Sequence, residues 1–216
     1  MVSFVALKVI YNEDLPQGEA GKVADELAYQ MLEAIHHKEF TQTTEIRWTF
    51  RGVNRYKWKL QEDIVEVYWK DFQVTLHTKS PEKSEAYQNN KPIEGEKRKE
   101  AIAYATKNFN NDSFWLMAPH KVFDEGTQRQ VIEEDNMQHL LVTYTSGGST
   151  PGDSYLWELD ENKMPIAMKM WVSIIPFDGV EAKWVDWQMT EGSFPLPQQR
   201  TFFGIKIPIS EVEVLR

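Results

Sequence analysis

A mainly β fold, a broad antiparallel sheet with two inserted helices, is what this chain predicts, and three observations predict it. Apolar and polar residues alternate along Ile46, Trp48 and Phe50, and again along Tyr56 and Trp58. A period of two belongs to strands with one buried face. Short apolar runs recur between polar turn residues in both halves of the chain, the pattern of a sandwich or barrel rather than of βαβ units. Only two segments carry a helical period.

The elements follow in order. Val2–Tyr11 is apolar except for Ser3 and Lys8, and the polar run Asn12–Gly21, broken by Pro16, Gly18 and Gly21, is a linker. Ala24–Phe40 reads as a helix with Leu27, Met31, Leu32 and Ile35 on one stripe. His36, His37 and Lys38 fall in its last turn, where positive charge suits the macrodipole. Neighbouring helical residues point about 100° apart, so His36 and His37 do not form a metal site together. Strands follow at Thr44–Phe50, Tyr56–Lys59, Ile64–Trp69 and Phe72–Thr78. A charged excursion, Lys79–Lys99, leads into a second amphipathic helix over Glu96–Asn108, with Ile102, Ala105 and Phe109 on one side. "NNDSFWLMAPHKVFDEG", Asn110–Gly126, reads as a polar corner that delivers Phe114, Trp115 and Leu116 into a strand. Asp112 and Asp124 then act as turn-holding residues. Further strands are expected at Leu140–Thr145, Tyr155–Leu159, Pro165–Ile175, Val180–Met189 and Phe202–Val214.

Composition removes several classes of function. The 216 residues carry a formal net charge of -9, which argues against nucleic acid, whose binding needs a basic face. Cysteine is absent, so there is no disulfide, thiol nucleophile or zinc-thiolate site. No stretch approaches the about 20 apolar residues of a membrane span. Catalytic motifs fail on inspection. Gly147–Pro151 lacks the second glycine of a nucleophile elbow and precedes a strand instead of a helix. No phosphate-binding glycine loop is present, and His77, His120 and His139 have no metal-ligand spacing. An acid–base enzyme built on Asp112, Asp153 or His120 needs two of them to converge beside a cleft. No catalytic residue, metal or cofactor is therefore assigned.

Eight tryptophans in such a chain, read as lying on strands or their ends, suggest another use for a half-open sheet. Bulky aromatics on a concave face line a cavity that a helix can cover. "IRWTFRGVNRYKWKL", Ile46–Leu60, and "NFNNDSFWLMAP", Asn108–Pro119, resemble the LolA/LolB-like lipoprotein-carrier superfamily. "NDSFWLMAPHKVFDEG", together with "TYTSGGSTPGDSYLWELDENKMPIAMKMW", looks closer to uncharacterised LolA-like proteins of Bacteroidetes-type bacteria than to the carrier itself. Trp48, Arg51 and Trp58 stand at the matching places, and Gly52 stands where the carrier has Pro.

The resemblance implies an incomplete antiparallel β-barrel, a half-barrel with a helical lid over a hydrophobic hollow. Residues 22–216 would form that single domain. Its function would be non-enzymatic binding of an acyl chain, lipid or lipoprotein lipid moiety in the bacterial periplasm. Trp48, Phe50, Trp58 and Trp115 are expected to line the hollow, Leu27, Met31 and Ile35 to face them from the lid, and Arg51 to contact the lid. The alternative is a structural or partner-binding module of an envelope assembly, meeting its protein partner through Lys79–Lys99 or the lid. Residues 1–21 read as the tail of a truncated inner-membrane anchor and its linker, with further apolar residues upstream completing the tether.

Overall fold

The structure, a computed structural model, describes residues 12–146 and 150–216; the expected anchor at Val2–Tyr11 lies outside them. In chain order the elements begin with β1 (Glu19–Ala20), α1 (Lys22–Ala34), α2 (His37–Thr41), β2 (Glu45–Phe50) and β3 (Asn54–Lys59). Next come β4 (Ile64–Trp69), β5 (Phe72–His77), β6 (Glu85–Gln88), β7 (Lys91–Pro92) and α3 (Gly95–Met117). The remainder is β8 (Thr127–Glu134), β9 (Met137–Tyr144), β10 (Ser154–Leu159) and β11 (Pro165–Trp171). It ends with β12 (Val180–Met189), β13 (Pro195–Phe202), β14 (Ile205–Lys206) and β15 (Ile209–Leu215).

The fold is mainly β with inserted helices, and its strands form two antiparallel sheets rather than one. One sheet has the order β1-β8-β9-β10-β11-β12-β13-β14, the other β15-β2-β3-β4-β5-β6-β7, and neither closes into a barrel. The chain divides into two compact units. The first comprises the described residues of Met1–His37, Ala118–Trp187 and Pro197–Ile207, the second Lys38–Met117, Gln188–Leu196 and Pro208–Arg216.

In the first unit, α1 packs on β8 and β9. It buries Ala24, Leu27, Ala28, Met31 and Leu32, the stripe its spacing announced. Asp25 ties the helix to β8 through Arg129 Nε at 2.6 Å. The expected helix Ala24–Phe40 is interrupted: α1 stops at Ala34, and His36 takes φ +52° before α2 begins.

In the second unit the sheet separates its two faces cleanly, as an antiparallel sheet covered on one side does. The register aligns Trp48, Tyr56, Val67, Val74 and Ala86 in one row, and Ile46, Trp58, Val65 and Leu76 in the next. The opposite face carries Arg47, Lys57, Glu66, Thr75 and Glu85 in register. There Lys57 pairs with Glu45 and Glu66, and Arg47 with Glu45 and Glu213. Helix α3 lies against β5 and β6.

The run Asn110–Met117 is helical, which corrects the expected polar corner and strand. Helix α3 has 23 residues, and Phe114, Trp115 and Leu116 form its last turns. Ala101, Ala105, Phe109, Asp112, Ser113 and Leu116 are buried along it, a continuous stripe at helical spacing. Asp112 and Ser113 belong to that stripe because partners on the sheet satisfy Asp112, a fact the local sequence does not carry.

Candidate functional site

The best-defined constellation in the second unit lies where α3 crosses the aromatic face of the sheet. Period-two alternation puts Trp48 and Tyr56 on that face as cross-strand neighbours, and their rings stack 4.6 Å apart. Phe109 of α3 meets Trp48 at 6.3 Å and Tyr56 at 6.2 Å, and it stands edge-on to Trp58 at 5.3 Å. One turn closer to the helix N-terminus, Tyr104 stacks on Trp69 at 4.6 Å. Apart from these rings, the buried face of this half of α3 is Ala101 and Ala105.

Polar contacts complete the attachment. Asp112 Oδ2 accepts from Tyr56 Oη at 2.5 Å and Asn54 Nδ2 at 3.0 Å, while its Oδ1 accepts from Asn111 Nδ2 at 2.8 Å. Tyr104 Oη donates to Asn54 Oδ1 at 3.2 Å. Near the start of the helix, Arg98 donates to the carbonyls of Ser84 and Glu82. We call this set the clasp.

Its electrostatics follow from burial. Asp112 is 1% exposed, and desolvation raises its pKa; the bonds from Tyr56, Asn111 and Asn54 and the charge of Arg51 oppose the rise. Burial, and then the charge of Asp112, push the Tyr56 phenol upward as well. The Tyr56 phenol therefore stays protonated and able to donate at neutral pH. One donor has no acceptor: Trp48 Nε1 is buried without a hydrogen-bond partner among the described residues, which leaves a desolvation cost unreturned.

The expected site residues divide between the two units. Trp48 and Phe50 are buried in the second unit and Trp58 is half-buried. Trp115 sits half-buried on α3, not on a strand as expected. Leu27, Met31 and Ile35 are buried in the first unit. Within the second unit, the helix lying on Trp48 and Trp58 is α3.

Arg51 is exposed in the β2–β3 turn, 5.6 Å over the Phe50 ring, and its own N–H donates to Pro208 O at 2.8 Å. Its charge bears on Asp112 of α3. Gly52, the departure from the carrier pattern, has φ +66°, which proline with φ fixed near −65° cannot adopt. Asn54, Tyr56 and Tyr104 escaped the sequence reading of the site, and Asp112 entered it only as a turn residue or an acid–base candidate. The parity that placed Trp48 inward also places Asn54 and Tyr56 inward, and that signal was available.

The acid–base candidates fall into separate networks. Asp153 accepts from Ser173 N at 3.0 Å and Thr150 Oγ1 at 2.5 Å, fixing loop backbone. His120 Nδ1 lies 3.1 Å from His37 Nδ1, with the rings stacked; the structure supplies a histidine pair that the sequence did not join. Burial lowers the pKa of both, and for His120 the neighbouring His37 adds to it. No group of three or more metal-ligating side chains occurs among the described residues. An open polar groove of about 300 Å³ lies over the charged side of the second sheet, lined in part by Thr49, Arg55, Tyr68, Lys70 and Glu211.

No protein-family model matches this chain, and no curated protein matches it. No helix among the described residues is long and apolar enough to cross a membrane.

Proposed function

We propose that this chain is a LolA-like, non-enzymatic holder of an acyl chain or similar apolar ligand, working in the bacterial periplasm and tethered to the inner membrane through its N-terminus. The observation that carries this reading is the attachment of the part of α3 before Ser113 to the aromatic face: two alanines, a few rings and a polar clasp, while the buried Leu116 and Met117 anchor the last turn. Water can replace the hydrogen bonds once this part of the helix moves off the sheet, so it lifts at lower cost than an all-apolar contact of the same area. Lifting it uncovers Trp48, Tyr56 and Trp58 to an acyl chain, whose burial is worth about 0.8 kcal/mol per methylene. Trp48 Nε1, buried without a partner among the described residues, then donates to an ester or carboxyl oxygen of the ligand. Arg51 sets the clasp through its charge on Asp112, so Arg51→Leu changes ligand retention more than melting temperature.

Native mass spectrometry after gentle purification, joined to titration with a brominated fatty acid, tests the proposal. The expected result is a bound lipid or a saturable quench of tryptophan fluorescence that Trp48→Phe diminishes. Uniformly ligand-free protein with no quenching at saturating probe overturns it. That outcome favours the second reading, a partner-binding module of an envelope assembly. The packing of Phe109 against Trp48, Tyr56 and Trp58 favours it too, since the face is then already filled.

A further inference from the structure

Three of the most exposed large apolar residues share one end of one sheet. Ile174 is 72% exposed, Ile205 71% and Phe203 61%. Ile174 lies in the loop between β11 and β12, which run antiparallel. Phe203 and Gly204 form the turn between β13 and β14. Strand β13 neighbours β12 and follows it through a short turn closed by Thr190 N to Phe194 O. β13 therefore ends where β12 begins, and the two apolar tips stand side by side in the first unit. The half-buried Ile175 and Phe177 continue the first tip, and the exposed Lys206 flanks the second.

The second tip runs against local preference. Phe203 has φ +49° and Gly204 φ +71°, both positive, as a two-residue hairpin turn of the primed type requires. Asn-Gly suits that geometry, whereas a bulky residue at positive φ is strained. Phe203 keeps this conformation while mostly exposed, its ring edge-on to its neighbour Phe202 at 4.6 Å. Folding gains little from an aromatic side chain there.

We propose that these two tips insert into the interfacial layer of a lipid bilayer. Area decides between a bilayer and a second protein. At the about 150–250 Å² that an aromatic side chain buries, three side chains fall short of the roughly 800 Å² per partner of a standard protein interface. A fluid bilayer accepts separate convex tips without shape complementarity, and Lys206 reaches the headgroups from beside Ile205. The chain's net charge of -9 makes the contact apolar in origin, so it favours zwitterionic over anionic lipid and resists salt. The inference is independent of an acyl chain being held beneath α3.

Flotation with phosphatidylcholine vesicles tests it, using the chain and its Phe203→Asn/Ile205→Ser and Ile174→Ser/Phe203→Asn/Ile205→Ser variants. Phe203→Asn installs the turn's preferred Asn-Gly pair, so these variants fold at least as well, which circular dichroism checks. The parent should float, at low and high salt alike, and partitioning should fall at least ten-fold in the triple variant. Phosphatidylglycerol in the vesicles should weaken it. A parent that stays in the protein fraction, or a triple variant that floats equally, overturns the proposal. So does a parent dimer in sedimentation velocity that the substitutions dissociate without vesicle binding, since the tips would then meet a second copy. Brominated fatty-acid quenching, measured on the same variants, should be unchanged. Its failure in the parent with flotation intact would defeat the acyl reading alone.

Discussion

Removing the Asp112 carboxylate should loosen α3 by an amount that can be worked out from its partners. Asp112→Ala strands two buried donors, Tyr56 Oη and Asn54 Nδ2, which now share Oδ2 at 2.5 and 3.0 Å. Tyr56 is 3% exposed and Asn54 5%, so water does not readily replace the acceptor. An unsatisfied buried group costs about 1–3 kcal/mol, giving about 2–6 kcal/mol for the pair. Relief of the buried charge, whose desolvation is the largest influence on Asp112, returns part of this. We expect about 2–4 kcal/mol. Tyr56→Phe leaves the carboxylate with Asn54 and Asn111 and should cost about 1.5–3 kcal/mol, as for a bond to a charged acceptor. In the double variant no phenol remains to be stranded, so its cost should fall short of the sum by about 1–3 kcal/mol. Urea unfolding followed by tryptophan fluorescence and far-ultraviolet circular dichroism reads all four proteins. An Asp112→Ala midpoint within about 0.5 kcal/mol of the parent, or strictly additive singles, would refute the reasoning.

Other perturbations test the same physics. Because burial raises the pKa of Asp112, its contribution is fully present below the ordinary carboxylate pKa and is lost as pH rises through its higher folded value. Asp112→Asn should therefore gain on the parent as pH rises across that window in urea midpoints. The His37–His120 pair has the opposite sign: both pKa values lie below the ordinary 6.5, so the contribution is present above 6.5 and lost as pH falls through the folded values. His120→Gln should flatten the acid side of the stability–pH curve relative to the parent. Phe109→Ala should cost about 3–5 kcal/mol of stability, and it should increase binding of an environment-sensitive dye if it opens space beside Trp48 and Trp58.

The sheets were readable wherever one face is apolar and the other polar. Ile64–Trp69 and Val180–Met189 were expected with their observed bounds, because short alternating runs between turn residues carry their own register. Thr127–Glu134 was missed as a strand: "TQRQVIEE" is mostly polar, and its pairing with Met137–Tyr144 is what makes it one. Phe202–Val214 was read as one strand but divides at Gly204 and Pro208, so that Ile209–Leu215 joins β2 in the other sheet. Nothing within that segment states which sheet each half joins. The polar run before Trp115 misled for a related reason. Turn chemistry is a sound inference for Asn-Asn-Asp-Ser when those side chains meet solvent, but Asp112 and Ser113 are buried. For Asp112 the partners lie 56 and 58 residues away.

That polar stripe bears on what α3 is for. A helix meant only to cap a core gains most from apolar side chains, since a buried ionic or polar group seldom outperforms a well-packed hydrophobic one. Here the position facing Tyr56 and Asn54 is an aspartate, and its burial works against its charge. Hydrogen bonds fix where a helix sits, and water can take them over when it leaves, whereas packed methylenes lose free energy on exposure in proportion to area. A clasp that positions α3 while leaving it removable should therefore trade stability for opening. Replacing it with Asn54→Leu, Tyr56→Phe and Asp112→Leu together should leave the second unit as stable as before or more so, while slowing entry of a brominated fatty acid beneath the helix. Stopped-flow quenching measures that rate and urea unfolding the stability. Equal entry rates in a variant that folds as tightly as the parent would mean that α3 does not lift, and that Asp112 serves only to set its position on the sheet.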